Sequence, residues 1–182
     1  MSHMLRTVGR AVRRLAGSAL AIAISGGFAA LPANAQTPVP AELQPPGAPR
    51  VVASLTASGA QVYVCKRDAN NQLAWTFQAP QADLYDASGK LAVKHGAGPS
   101  WEAMDGSKIT GKVMQHAANP DDADAIPMLL LQATDAGKPG LLSEVHYVQR
   151  LSTHGGAAPA EACKQEGQTG RSPYIARYVF LE

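Results

Sequence analysis

The side chains able to do chemistry in this sequence of 182 residues gather in two short stretches. The first is His95-Gly96-Ala97-Gly98-Pro99-Ser100-Trp101-Glu102. It sets an imidazole, a hydroxyl, an indole and a carboxylate in a Gly/Pro loop. Glycines let a backbone approach a ligand closely, and an indole face stacks on a sugar or an aromatic ring. The second is Gln149-Arg150-Leu151-Ser152-Thr153-His154-Gly155-Gly156, where a polar pair leaves an apolar strand for a Gly-Gly turn. Arg150 carries a planar fork of donors that suits a carboxylate. The candidate ligand-binding residues are therefore His95, Ser100, Trp101, Glu102, Arg150, Thr153 and His154, and the two stretches are expected to meet. The competing reading is structural. Trp101 then caps the core, His95 and Glu102 are solvated, and Arg150 pairs with Glu102 or Glu144.

Known catalytic and metal patterns are missing. His95, His116, His146 and His154 have no partner at metal-ligand spacing, so no metal or cofactor is expected. There is no G-x-S-x-G elbow for a serine hydrolase. Asn119-Pro120-Asp121-Asp122-Ala123-Asp124 lacks the glycine and distal glutamate of a calcium loop and reads as a solvated turn. A small hydrolase using His95, Glu102 and His154 stays open as the alternative to a non-enzymatic binding domain. A structural envelope or stress protein is the third reading.

The elements that must position these residues begin after residue 35. Residues 1–35 hold Arg6, Arg10, Arg13 and Arg14 and no acid, then an apolar run from Leu15 to Leu31, then Ala33-Asn34-Ala35. That order is a cleavable secretory signal, which predicts a periplasmic or secreted protein with no stable membrane anchor after cleavage. The chain has 16 Lys+Arg against 14 Asp+Glu, and loss of the four signal arginines leaves 12 against 14. A near-neutral domain offers no electrostatic footprint for nucleic acid. Cys65 and Cys163 are the two cysteines, and in an oxidising compartment they are expected to pair.

Residues 36–50 hold Pro38, Pro40, Pro45, Pro46 and Pro49 and predict an extended tether. From Val51 the period is two. Leu73, Trp75 and Phe77 alternate with polar or small neighbours and share one strand face, as do Tyr174, Ala176, Tyr178 and Phe180, and Trp75 reads as core. Ile126–Ala133 and Leu141–Leu151 read as central strands, and residues 157–166 as a short helical turn. Residues 51–182 are thus expected to be one all-β domain, a sandwich or barrel-like fold of about nine short strands with one disulfide.

Several strings in fixed order carry a family resemblance. They include Gly59-Ala60-Gln61-Val62-Tyr63-Val64-Cys65, Trp75-Thr76-Phe77-Gln78-Ala79-Pro80, Gly98-Pro99-Ser100-Trp101-Glu102, Ile126-Pro127-Met128-Leu129-Leu130-Leu131 and Val148-Gln149-Arg150-Leu151. The chain resembles the secreted bacterial and fungal proteins grouped as domain of unknown function 3455. The resemblance implies export and a single domain, and it implies no activity. The expected partner is a small molecule, a glycan or a protein.

Overall fold

The computed structural model describes residues 38–122 and 124–182, so the expected signal segment lies outside the described residues. Eight strands follow in order: β1 (Val51–Arg67), β2 (Leu73–Tyr85), β3 (Leu91–Gly96), β4 (Ser100–Ala103), β5 (Lys108–Ala117), β6 (Met128–Asp135), β7 (Tyr147–Gly155) and β8 (Thr169–Leu181). Each pairs antiparallel with the next, and β8 returns to pair with β1, closing a barrel. The choice between sandwich and barrel is thus settled. The strands number eight rather than about nine, and the expected strand Leu141–Leu151 is shortened, because Leu141–Glu144 forms turns and β7 starts only at Tyr147. Residues 157–166 contain no helix.

Alternation does place the faces. Tyr174, Ala176, Tyr178 and Phe180 of β8 all point inward and are buried. On β6, Leu131 points in, while Met128 and Leu130 belong to a second cluster on the outside of the barrel. Register stacks the inward residues in layers. Leu129 faces Arg150 across β6 and β7, Arg150 faces Tyr178 across β7 and β8, and Tyr178 faces Leu55 across β8 and β1.

The two barrel ends differ. The connections β2–β3, β4–β5 and β6–β7 close one end over Leu84, Val93, Ile109, Leu142, Val145 and Phe180. Asp105 ties that plug down. Its carboxylate accepts from the Ser107 hydroxyl at 2.7 Å and from the Leu141 backbone N–H at 2.7 Å, which hold it down at about 2. The connections β1–β2, β3–β4, β5–β6 and β7–β8 surround the other end.

Two expectations change outside the barrel. The proline-rich stretch is extended, but it is not a free tether. A single 3-10 turn, Ala41–Leu43, drops Leu43 into a fully buried seat formed by Ala117, Met128, Leu130, Leu151, Val179 and Leu181. Gln149 Nε2 donates to the Leu43 carbonyl at 2.7 Å and fixes this strap. Trp75 is not core either. It is half-buried beyond the core clusters, and its Nε1 donates to the Glu161 carbonyl at 2.8 Å.

Cys65 and Cys163 are bonded, with Cα atoms 5.8 Å apart and 98 residues between them in sequence. The bond joins the end of β1 to the β7–β8 connection. Closing a loop of that length removes conformational entropy from the unfolded chain, and the double substitution Cys65→Ala/Cys163→Ala is expected to cost about 4–5 kcal/mol. Urea unfolding measures it, and an unchanged midpoint would refute it. Leu43→Ala is expected to cost about 2–4 kcal/mol as a buried leucine does. A free tether would lose nothing by the same measurement.

Candidate functional site

β3 and β4 form a hairpin whose turn needs Gly98, at φ +98°, a conformation side chains resist. The hairpin register sets His95 opposite Trp101, both facing inward. Their rings stack at 4.7 Å with 6° between planes. Tyr178 tilts against His95 at 5.2 Å, and Phe180 meets Trp101 edge-on at 6.2 Å. The indole fits because β5 is bare beside it. A Cβ on Gly111 would sit 2.7 Å from the Trp101 ring and 3.2 Å from Leu131.

This aromatic group borders a cavity of about 470 Å³ at the unplugged end of the barrel. Gln61 and Tyr63 of β1, Phe77 of β2, Leu129 and Leu131 of β6, and Arg150 of β7 complete most of its wall. Among the described residues no Asp, Glu or Lys lines it. Two wall residues, Trp101 and Gln61, carry a buried N–H donor with no hydrogen-bond partner among the described residues. Tyr63 spends its hydroxyl on the Gly156 carbonyl at 2.7 Å.

His95 Nδ1 lies 2.9 Å from the Ser100 carbonyl. A carbonyl only accepts, so Nδ1 carries the proton and Nε2 keeps its lone pair. Burial pushes the imidazole down to about 4, helped by the charge of Arg150 and opposed by the Ser100 bond. His95 is therefore neutral at pH 7. Burial likewise raises the phenols of Tyr63, Tyr174 and Tyr178.

Arg150 is half-buried, and its Nε and Nη2 both donate to the Pro127 carbonyl, at 3.1 and 2.8 Å. The expected pairing with Glu102 or Glu144 is absent. Glu102 points outward from β4 and sits 3.9 Å from Lys108. The four ion pairs among the described residues are Arg50–Glu182, Arg67–Glu166, Lys108–Glu102 and His154–Asp122, and none includes Arg150.

Of the seven candidates, the cavity brings together His95, Trp101 and Arg150. Ser100 turns its hydroxyl to the Ala97 carbonyl at 2.9 Å. Thr153 is fully buried away from the cavity, with its carbonyl accepting from Asn119. His154 is exposed and lies 3.3 Å from Asp122. The trio His95, Glu102 and His154 is thus not assembled, because neighbours on a strand face opposite ways. Among the described residues no three His, Cys, Asp or Glu side chains cluster as metal ligands. Gln61, Tyr63, Phe77, Leu129 and Tyr178 were not anticipated. The alternation of β1, β2, β6 and β8 marks each as one face of a strand, but nothing local marks that face as a cavity wall.

The buried neutral imidazole makes stability depend on pH. An unfolded histidine takes up its proton near 6.5 and folded His95 near 4. Between those values the unfolded chain binds more protons, so stability falls as pH drops through that window. The full loss is on the order of 3 kcal/mol. His95→Gln keeps a donor for Ser100 but cannot titrate. Its melting temperature is expected to fall less than that of the native protein between pH 6.5 and 4, and parallel curves would overturn this.

No curated protein and no solved structure matches the chain. A family model described as protein of unknown function (DUF3455) matches residues 45–182, which takes in every strand and the whole cavity wall. The chain therefore belongs to the DUF3455 family.

Proposed function

We propose that this domain is a non-enzymatic binding module, working outside the cytoplasm, that holds one small molecule in the unplugged end of its barrel. The observation that carries the reading is the cavity of about 470 Å³ in a fold whose other end is filled with side chains. Ligand pockets fall at roughly 300–1,000 Å³, are mostly apolar, and hold a few fixed polar groups. Eight-stranded barrels are just wide enough to be filled by side chains or to hold one small ligand.

Aromatic walls from Trp101, Tyr63, Phe77 and Tyr178 favour an apolar body. The signal-like segment and the disulfide support action outside the cytoplasm.

N-phenyl-1-naphthylamine, a neutral dye that brightens in apolar surroundings, provides the test. It is expected to bind saturably at one site. A Trp75→Phe variant leaves Trp101 as its one tryptophan, and energy transfer from Trp101 should then report the bound dye. Leu129→Trp fills the cavity from β6 and is expected to weaken binding by about tenfold or more while melting remains cooperative. Absence of saturable binding to the native protein would end this reading.

A further inference from the structure

The charge balance of the cavity is one-sided. Among the described residues Arg150 is the one charged side chain in its wall, since no Asp, Glu or Lys of theirs lines it and His95 is held neutral by burial. The protein gives Arg150 only neutral company. Nε and Nη2 grip the Pro127 carbonyl, and Tyr178 offers a phenol. No carboxylate comes within ion-pair distance among the described residues, although the three other arginine and lysine ion pairs show that surface partners are available elsewhere. A half-buried cation without a counter-ion is costly unless a guest supplies one.

Arg150 faces Leu129 on one side and Tyr178 on the other, so it stands in an inward layer of the barrel rather than on its outer surface. The Pro127 carbonyl takes two of its donors and thereby fixes the plane of the guanidinium. A guanidinium held in one plane is preorganised for the two oxygens of a carboxylate. Among the described residues no carboxylate lines the wall to repel an anion.

Resting on the binding reading above, we infer that the guest is a small organic carboxylate with an apolar or aromatic body. Its charged end meets Arg150, and its body lies among Tyr63, Phe77, Leu129 and Trp101.

Competition against bound N-phenyl-1-naphthylamine tests this. 1-Naphthoate and 1-naphthamide share one flat skeleton and differ in charge. The native protein is expected to prefer naphthoate by about tenfold or more, the scale of one charge-assisted hydrogen bond. That preference should shrink as salt rises. In Arg150→Gln it should fall to about one while the dye still binds. Should Arg150→Gln fail to fold, Arg150→Lys keeps the charge without the fork, and it should show a reduced but real preference. Equal competition by the two compounds in the native protein, with the dye bound, overturns the carboxylate and leaves the binding module standing. A preference that survives in Arg150→Gln overturns the role of Arg150. If the dye itself never binds, both readings fall.

Discussion

Closure of β8 onto β1 is the constraint from which the rest follows. Once eight strands close, the interior is about as wide as the side chains that fill it. Each inward residue then decides locally between core and cavity. At one end Leu84, Val93, Ile109, Leu142 and Phe180 fill the space. Register shifts occur at both ends: between Val51 and Ala53 and between Leu84 and Tyr85 at the filled end, and between Val62 and Tyr63, Val113 and Gln115, and Leu151 and His154 toward the open one. Bulges re-aim side chains at barrel rims. Here they accompany a wall where Phe77 and Val113 stay half in solvent, at 51% and 48% exposed. The stack of His95 on Trp101 lies where packed interior gives way to open space.

The same geometry sorts the electrostatics. Burial strips His95 of its charge, and the rigid hairpin gives its Nδ1 proton a carbonyl to bond. Arg150 keeps its charge because a guanidinium does not lose it in proteins. One imidazole and one guanidinium in the same wall therefore behave differently. One contributes a lone pair and the other a full positive charge.

Much of the fold was legible because period two is a local signal. Tyr174, Ala176, Tyr178 and Phe180 read as one face and are one face. Period two does not say which face is inside, and Leu73, Trp75 and Phe77 show the cost. β1 and β2 run on past the filled section of the barrel, and a bulge shifts their pairing, so this alternation ends half-buried or exposed. Of the site, His95, Trp101 and Arg150 stood out by residue type. The same alternation that put Trp101 inward should have sent Ser100 and Glu102 away from it, a point the loop-like composition obscured. Tyr63, Leu129 and Tyr178 carry no local mark of a site. A cavity is made by what neighbouring strands leave unfilled, and that depends on register across the whole barrel.

The strap has a consequence for how the chain reaches this state. Leu43 sits near the beginning of the described chain, but its seat uses Val179 and Leu181 from the last strand. Gln149 bonds the Leu43 carbonyl across 106 residues, and the disulfide spans 98. Barrel closure, too, joins the first strand to the last. Each of these stabilising features must wait for the C-terminal third of the chain. Such long-range contacts give slow, cooperative folding, because loop entropy is lost before any contact offsets it. Until β8 arrives, β1 is an unpaired edge beside an uncovered apolar face, the kind of surface that invites association between incomplete chains.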